Sequence, residues 1–344
     1  MMISNSVKPS LKSLGVAKRQ AITDVVRITP LIKENSLPLL IQATVEGVNL
    51  VAWAANNQEL IKKSLLQYGG ILFRNFQVTE VAEFQQFIRV VAGELLEYRD
   101  RSSPRSAIQG KIYTSTDHPA NQKILLHSEN SYAANWPLKI FFYCVTPAQQ
   151  GGETPIADIR KVYQKISPTV LEKFAKKQVM YLRNFGDGFG LPWQTVFQTN
   201  QPEKVAEFCY QNHIKFEWKA KNKLRTYSIR PAIAKHPITG EYVWFNHALF
   251  FHISSLETNI RESLLAEFKE EDIPHNTYYG DGSPIEPEVL HEIRTAYQQE
   301  TVVFPWLTGD ILMLDNMLTA HGRKPFFGNR KVVVGMAEAY STDD

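Results

Sequence analysis

Two segments far apart in the chain carry residues that could bind one metal ion. His127 and Glu129 are separated by one residue, and His321 follows almost two hundred positions later. In an extended segment alternate side chains leave the same face, so His127 and Glu129 could reach one metal while Ser128 points away. Two histidines and one carboxylate form a facial triad that suits Fe(II) and leaves coordination positions open. The residue types and their spacing therefore predict an iron site.

A keto acid could fill two of the open positions, and its remote carboxylate would then need a cation. Arg330 lies nine positions after His321 and begins the apolar run 331–334, so it could point inward from a strand. A guanidinium group binds a carboxylate through a planar two-pronged fork. Arg323 is the alternative, but its Gly-Arg-Lys-Pro context is typical of a turn, where we expect a solvated side chain. We therefore predict that Arg330 is the anion anchor.

Each of these patterns is weak alone, but the sequence around them adds a specific signal. The motifs are Leu126-His127-Ser128-Glu129-Asn130-Ser131-Tyr132, Gly151-Gly152-Glu153-Thr154-Pro155-Ile156-Ala157-Asp158, Phe304-Pro305-Trp306, Gly309-Asp310, Asp315-Asn316 and Ala320-His321-Gly322-Arg323. From about residue 65 to about 340 the chain resembles the taurine dioxygenase and clavaminate synthase superfamily of iron- and 2-oxoglutarate-dependent oxygenases. Its glutamate ligand and its Trp244-Phe245-Asn246 stretch most resemble clavaminate synthase, asparagine hydroxylases and syringomycin-type β-hydroxylases, which act on carrier-bound aspartate.

The resemblance implies a role for five residues. It makes His127, Glu129 and His321 the iron ligands, Arg330 the partner of the 2-oxoglutarate C5 carboxylate, and Thr154 a hydroxyl donor to that co-substrate. Related halogenases have a small residue at the carboxylate position, where chloride binds. Because Glu129 fills that position here, the resemblance disfavours halogenation.

The resemblance also implies a reaction. We expect an Fe(II)- and 2-oxoglutarate-dependent oxygenase that uses O2, releases succinate and CO2, and hydroxylates an unactivated C–H of an amino acid or amino-acid-derived substrate. The substrate would be free or bound to a carrier protein. Desaturation or cyclisation by the same chemistry stays open. Two further classes also stay open, a non-catalytic protein that binds a carboxylate on this scaffold and a zinc hydrolase with the same ligands.

The sequence predicts the substrate contacts less specifically than it predicts the metal ligands. Four polar residues would lie near the mouth of the site and could hold an amino acid's charged groups: Asn130, Tyr132, Arg230 and Asn246. For each of them a structural role is the more common outcome. His247 and His252 are also spaced so that a metal role stays open.

The fold class predicted is α+β, with a double-stranded β-helix (jelly roll) core and flanking and inserted helices. We expect a mobile N-terminal extension over residues 1–20 and a single oxygenase domain over residues 21–344, because no Pro/Ser/Gly-rich linker divides the chain. A polar stretch without a clear period, residues 111–126, is expected to be a long loop ahead of the iron ligands and a substrate lid.

Apolar periodicity and turn residues predict the individual elements. The predicted strands are residues 71–73, 139–146, 179–185, 216–230, 242–251, 310–314 and 330–340, with a turn at 237–240. The predicted helices are residues 57–66, 202–210, 256–268 and 287–297, and one that Thr79 caps and that carries Val81, Phe84, Phe87, Ile88 and Val91.

Composition limits the remaining functions. The 344 residues are 44% hydrophobic and 21% charged with a net charge of +3, which is too small to argue for nucleic-acid binding. No stretch of eighteen apolar residues predicts a membrane span, and no signal peptide is apparent. The chain has only two cysteines, which argues against a disulfide framework. Reduced thiols and Fe(II) both suit a cytoplasmic protein, so we expect a cytoplasmic location. The sequence does not predict an oligomeric state.

Overall fold

The computed structural model describes residues 25–32, 35–97, 105–186, 190–219 and 222–341, so the predicted N-terminal extension over residues 1–20 lies outside the described part. The twenty strands of the described ranges are β1 Val26–Ile32, β2 Asn35–Ala43, β3 Gly70–Arg74, β4 Ala107–Gln109, β5 Ile112–Thr114, β6 Ile124–His127, β7 Asn135–Thr146, β8 Gln150–Gly151, β9 Ile156–Asp158, β10 Val179–Phe185, β11 Lys215–Lys219, β12 Lys223–Arg230, β13 Ala234–Lys235, β14 Tyr242–Val243, β15 His275–Tyr279, β16 Thr301–Val302, β17 Ile311–Asp315, β18 Thr319–Arg323, β19 Phe326–Phe327 and β20 Lys331–Ser341.

Ten α-helices and two 3-10 turns join these strands within the described residues. The helices are α1 Leu50–Ala55, α2 Gln58–Tyr68, α3 Val81–Ala92, α4 Ile159–Lys165, α5 Pro168–Lys177, α6 Trp193–Phe197, α7 Pro202–Gln211, α8 Ala248–Phe251, α9 Thr258–Glu267 and α10 Pro287–Glu300, and the 3-10 turns are Ile253–Ser255 and Glu270–Asp272. No helix of the described residues is long and apolar enough to cross a bilayer.

Three sheets account for most of the strands. The largest has eight strands in the order β1-β2-β3-β17-β7-β20-β5-β4, and a second has four in the order β16-β9-β18-β6. A third sheet has the order β11-β12-β10-β15. In the largest sheet the pairs are antiparallel except for β2 with β3. The expectation of an α+β protein with inserted helices is confirmed at this level.

The two faces of the eight-stranded sheet bury different partners. Side chains alternate between the faces of a strand. One face packs against α1, α2 and α3, and its residues include Ile71, Phe73, Phe141, Tyr143, Ile311, Met313 and Val333. The other face packs against β9 and β16 of the second sheet, and its residues include Leu72, Ile140, Phe142, Leu312, Leu314, Val332 and Val334. The second face therefore borders the space between two sheets.

Most predicted elements are confirmed, and several boundaries are wrong. The strand over residues 179–185 matches β10 in full, while the predicted strand over residues 216–230 is split into β11 and β12. The predicted loop over residues 111–126 contains β5 and the start of β6. The helix expected to be capped by Thr79 is instead capped by Glu80, because Glu80 and Glu83 form a reciprocal capping box.

The predicted strand over residues 242–251 is the clearest error. Only Tyr242–Val243 form a strand, and Ala248–Phe251 form helix α8. The side-chain oxygen of Asn246 accepts a hydrogen bond from the backbone N–H of Ala248, which favours the turn into the helix. A short apolar run does not distinguish a buried helix from a buried strand by periodicity, so the sequence pattern was ambiguous here.

Candidate active site

Strand pairing brings the three predicted metal ligands together. β6 and β18 are antiparallel neighbours, and His127 and His321 are direct partners in their register. One ligand atom from each of His127, Glu129 and His321 lies within 4.8 Å of the others. An oxygen of Glu129 lies 3.8 Å from Nε2 of His321. The three donors therefore converge on one point, as a single metal ion requires.

Glu129 is positioned by a turn rather than by the strand. β6 ends at His127, and the backbone turns over residues 128–131. The Asn316 side chain accepts a hydrogen bond from the Glu129 N–H at 2.7 Å and donates to the carbonyls of Glu129 and Pro137, both at 2.9 Å. This buried amide holds the backbone of Glu129 against the loop that precedes β18. Strand alternation alone, as predicted, does not explain the carboxylate's position.

The histidine chemistry fits a metal site. Nδ1 of His127 lies 2.9 Å from the Leu125 carbonyl, an acceptor that selects the tautomer protonated at Nδ1 and leaves the Nε2 lone pair for a metal. Burial lowers the pKa of His127 and lowers the pKa of His321 well below its usual range. Two neutral imidazoles beside one carboxylate are a donor set that suits Fe(II).

A cavity of about 480 Å³ opens at this cluster, and His127 and His321 form part of its lining. Two groups of side chains with different chemistry form part of the remaining lining. The first, which we call the cationic wall, consists of Ser115, Thr154, Arg323 and Arg330. The second, which we call the aromatic wall, consists of Leu191, Phe250, Phe251, Leu256 and His275.

Arg330 has the geometry of an anion anchor. Its Nε donates to the carbonyl of Gly152 at 2.8 Å, and Nη1 lies 3.3 Å from the Ser115 hydroxyl. Gly152 has φ +73°, and a Cβ on it would lie 2.9 Å from Cδ of Arg330, so glycine is required for this approach. Burial lowers the pKa of Arg330 to about 10. This value is still well above 7, so the side chain stays cationic at neutral pH.

Thr154 lines the same cavity and can donate a hydrogen bond. Its side-chain oxygen accepts a hydrogen bond from Nε1 of Trp306 at 3.1 Å. A threonine hydroxyl has one proton to donate besides its lone pairs. Because the tryptophan uses a lone pair, that proton is available to an acceptor in the cavity.

The expectation that Arg323 is a solvated turn residue is wrong. β18 extends through Arg323, which is buried. Its guanidinium donates to the carbonyls of His118, Pro119 and Gln122. Arg323 therefore fixes the loop between β5 and β6, which was predicted as a lid. Because β18 still pairs with β6 at Arg323, this arginine is buried inside the protein.

Comparison with known proteins identifies the family. The family described as "Taurine catabolism dioxygenase TauD, TfdA family" matches residues 33–336. The chain belongs to the TauD/TfdA family. It is 41% identical over 278 residues to the dapdiamide synthesis protein DdaC of Enterobacter agglomerans, covering 81% of this chain and 84% of DdaC. It is 27% identical over 284 residues to a clavaminate synthase-like protein of Arabidopsis thaliana, covering 80% and 83% of the two chains.

Solved structures with the same fold include oxygenases of this class. PvcB of Pseudomonas aeruginosa superposes with a TM-score of 0.55 at 17% identity, covering 91% of each chain. A second PvcB structure is described as an Fe, alpha-ketoglutarate dependent oxygenase. AAD-2, solved with Mn(II) and N-oxalylglycine, superposes with a TM-score of 0.53 at 12% identity, covering 91% of this chain and 96% of AAD-2. This TauD/TfdA-family protein is a 2-oxoglutarate-dependent dioxygenase that uses Fe(II), 2-oxoglutarate and O2, which argues against the non-catalytic and zinc-hydrolase alternatives.

Arg105 is a cavity residue of this TauD/TfdA-family enzyme that the sequence did not predict. Its Nη2 lies 2.6 Å from Oε2 of Glu129, and the two side chains are only 4% and 2% exposed. It also lines the cavity. It precedes β4 in a Ser-Pro-Arg sequence that matches no metal or anion motif. Only the folded chain shows that this arginine reaches the predicted metal centre.

None of the four predicted substrate contacts lines the described cavity. The Asn246 side chain donates to the Ala232 carbonyl, and Arg230 donates to the carbonyls of Ile229 and Asn212. Tyr132 is buried against Phe251 and a histidine. Asn130 lies in the turn after β6 with φ +57°. We therefore do not assign these residues to the substrate.

The two other histidines singled out by their spacing also lie outside the metal cluster. Nδ1 of His247 lies 2.6 Å from the Ser131 hydroxyl, and its ring packs 5.6 Å from that of His127. His252 uses Nδ1 to accept a hydrogen bond from the Ser254 backbone. His247 thus supports a predicted ligand through packing, while His252 shapes the 3-10 turn after α8.

Proposed function

We propose that this dioxygenase hydroxylates an unactivated C–H bond of an amino acid or amino-acid-derived substrate and releases succinate and CO2. His127, Glu129 and His321 would hold Fe(II), and Arg330 and Thr154 would hold 2-oxoglutarate. The observation that carries the proposal is one cavity lined by two of the three converging donors, by the half-buried Arg330 guanidinium and by a hydroxyl with an available proton.

We also infer that the core is a double-stranded β-helix. Its two halves would be the eight-stranded sheet and the sheet β16-β9-β18-β6, which share an apolar interface. The metal ligands come from the second sheet and the turn after β6. This arrangement would place the site at the open end between the sheets, where such folds hold ligands.

When bound, Fe(II) with 2-oxoglutarate and O2 supplies the oxidising chemistry that the side chains of a protein lack. The residues of the chain contribute binding, orientation and exclusion of water. The forked Arg330 guanidinium would orient the remote carboxylate of the keto acid, and Thr154 would donate to the same group. Leu125 fixes the tautomer of His127, so its ring presents a lone pair rather than a proton. Glu129 occupies the position that halogenases leave to a halide.

The aromatic wall would receive the substrate. Phe250 packs on the His127 ring with centroids 4.5 Å apart, and Phe251 packs on His275 with centroids 5.0 Å apart. The Phe250 ring therefore borders the metal cluster directly. A dry surface beside the metal favours productive use of the oxidant, because it excludes water from the reacting carbon.

Two observations support a biosynthetic substrate that extends beyond the cavity. DdaC is named for dapdiamide synthesis, and PvcB belongs to an isonitrile synthetic pathway. A mainly apolar groove of about 380 Å³ also adjoins the cavity and shares Gly190, Leu256 and His275 with it. Helix α9 borders this groove, and none of its residues is buried. The groove would accommodate the tether of a carrier-bound substrate.

Succinate release tests the proposal. Protein purified without oxygen would be loaded with Fe(II) and 2-oxoglutarate, and succinate would be measured after O2 is admitted, with amino acids offered free and as carrier-protein thioesters. We expect succinate to rise with one substrate, and mass spectrometry to show that substrate with one added oxygen atom. Succinate formation that no amino-acid substrate stimulates, or a product that has lost two hydrogens instead, would contradict the hydroxylase proposal.

A further inference from the structure

The cavity at the metal cluster and the groove beside α9 meet at three residues. Gly190, Leu256 and His275 line both spaces, and we call them the throat. A substrate that occupies the cavity and the groove together must pass these residues. Glycine has no side chain and leucine offers only an apolar one, so His275 carries the side chain of the throat that can form hydrogen bonds.

His275 is fixed in place by a strand, but its ring nitrogens are not used within the fold. The residue begins β15 and pairs with Arg183 of β10. Its ring packs on Phe251 with centroids 5.0 Å apart. Within the residues that the structure describes, neither ring nitrogen has a hydrogen-bond partner. The ring faces the throat instead, where an incoming ligand can reach it.

The charge state of His275 indicates which kind of ligand it suits. Burial, assisted by the positive charge of Arg183, lowers the pKa of His275 to about 4. The ring is therefore neutral at neutral pH. A neutral imidazole has one N–H donor and one lone pair, and it brings no charge that would attract a carboxylate. A neutral oxygen acceptor such as a carbonyl matches this donor.

Filling the throat would make such an acceptor necessary. A ligand that packs against His275 displaces the water around the ring, and a donor that is buried without a partner is unfavourable. Ser255 also lines the cavity, but its hydroxyl donates to the Leu249 carbonyl. The ligand itself is then the source from which the N–H of His275 would obtain its acceptor.

A row of rings connects the throat with the metal cluster. Centroid distances are 4.5 Å from His127 to Phe250, 5.6 Å from Phe250 to Phe251 and 5.0 Å from Phe251 to His275. A substrate that lies along this row would place its reacting carbon beside Phe250 and a more distant group beside His275. The contact with His275 is therefore remote from the reacting atoms and would contribute to binding.

The groove beyond the throat suits a chain of mixed polarity. Helix α9 lines it with residues spaced three or four apart, which share one face of a helix. These residues are Asn259, Ile260, Ser263, Leu264 and Glu267. Polar and apolar side chains alternate along this face. Such a surface fits a tether that contains both amide groups and methylene groups.

We propose that His275 selects tethered substrates by donating a hydrogen bond to the carbonyl of the acyl linkage, where the substrate leaves the cavity for the groove. The inference rests on the proposed function, because it takes the groove as the path of the tether. A thioester to a carrier protein and an amide to a smaller conjugate both present this carbonyl. A free amino acid presents a carboxylate and no tether, so it would gain less from the contact.

The test compares ligands that differ in the linkage alone. The probes are pantetheine, the thiol arm of carrier proteins, bearing an aspartyl, asparaginyl or alanyl group through a thioester, through an amide, or through a thioether in which a methylene replaces the carbonyl. Binding to the full-length protein loaded with Fe(II) and 2-oxoglutarate would be measured by calorimetry without oxygen. We expect the thioester or the amide of at least one amino acid to bind at least about fivefold more tightly than the thioether.

His275→Phe keeps a ring but removes both nitrogens, so it should reduce this carbonyl preference to about one. The affinity for the thioether should stay within about threefold of the parent value, as should the affinity for 2-oxoglutarate. His275→Leu also lacks a donor and should behave in the same way, which covers the case in which the phenylalanine variant does not fold. His275→Gln restores a donor and should recover part of the preference. His291→Phe, at an exposed histidine of α10, is the matched control.

Three results would overturn the proposal. The first is a parent protein that binds the thioether as tightly as both carbonyl forms. The second is a carbonyl preference that persists in His275→Phe or His275→Leu. The third is an equal loss of affinity for all three linkages, which would make His275 a packing residue. A preference confined to the thioester or to the amide supports the proposal and identifies the linkage.

Failure of the proposed function has a different signature. In that case Fe(II)-dependent succinate formation would be absent in the parent protein itself. The carbonyl preference is a binding measurement and does not depend on turnover. The two failures are therefore distinguishable.

Discussion

The two walls of the cavity are built in different ways. The cationic wall comes from strands and the turns next to them: Thr154 precedes β9, Arg323 ends β18 and Arg330 precedes β20. Both arginines are tied to backbone carbonyls. The aromatic wall comes from the segment before α6, the four-residue helix α8, the residue after the first 3-10 turn and the first residue of β15, all of which lie between β9 and β16 in the chain. The first two sheets thus build the wall that we propose binds the co-substrate, and the insertion builds the wall that would meet the substrate.

The metal cluster joins the two walls, so its loss should have the largest effect. His127→Ala removes a nitrogen donor and should abolish Fe(II)-dependent succinate formation, because two remaining ligands hold the ion weakly. Binding of Fe(II) by the purified variant, measured by metal analysis after gel filtration, should fall in parallel. His291→Ala, which changes an exposed histidine on α10, is the matched control and should behave like the parent protein. Full activity in His127→Ala would exclude it as a ligand.

A change in the cationic wall should affect the co-substrate alone. Arg330→Met removes a partly desolvated cation from its carboxylate partner, a loss of about 2–3 kcal/mol that corresponds to roughly a 30- to 150-fold higher KM for 2-oxoglutarate. The KM of the amino-acid substrate should change little. Arg330→Lys should recover part of the effect, since it restores the charge without the fork. An unchanged KM for 2-oxoglutarate would show that another residue binds the remote carboxylate of the co-substrate.

A change in the aromatic wall should give the opposite pattern. Phe250→Ala removes apolar area beside His127 worth about 1–2 kcal/mol, so the KM of the substrate should rise about tenfold. The KM for 2-oxoglutarate should stay near the parent value, and more succinate should form per hydroxylated product. Phe327→Ala, at a phenylalanine that is 69% exposed, controls for the loss of a ring. Equal effects on both KM values would show that the walls do not act separately.

The smallest catalytic effect is expected at Arg323, although it belongs to the cationic wall. Arg323→Met removes hydrogen bonds to three carbonyls and should lower the free energy of unfolding by about 1–3 kcal/mol, measured by denaturant unfolding of the metal-free protein. The KM for 2-oxoglutarate should change less than about threefold. A change as large as that of Arg330→Met would mean that both arginines hold the co-substrate.

Local sequence predicted the strands and the metal cluster better than it predicted the arginines. β10 follows from a pattern within a few residues of the chain. The motif that contains His127 and Glu129 is also local, but the turn after β6 and the Asn316 side chain position Glu129. His321 was placed with them through its motif, and the pairing of β6 with β18 brings it there. The assignment of these three residues as ligands stays a prediction, supported by their geometry.

The residues that sequence reasoning missed owe their positions to distant contacts. The Gly-Arg-Lys-Pro sequence predicts a turn and therefore a solvated Arg323, yet the pairing of β18 with β6 buries this side chain. Arg105 belongs to no periodic pattern, and its meaning depends on Glu129, which it meets only after folding. The strand prediction fails at helix α8 because its four residues, three of them large and apolar, fit either structure. These are cases in which tertiary contacts override local preference.

The clamp between Asn316 and Glu129 joins positions that are 187 residues apart in the chain. On the ribosome, a nascent chain that ends before Asn316 would expose His127 and Glu129 without their third donor and without the amide that holds the Glu129 backbone. Such an incomplete pair holds a divalent ion poorly. Contacts between such distant positions are also slower to form than local ones, because closing a long loop carries an entropic cost. Metal uptake would therefore report that synthesis and folding of the whole sheet pair are complete, and the order of events would protect the growing chain from premature iron capture.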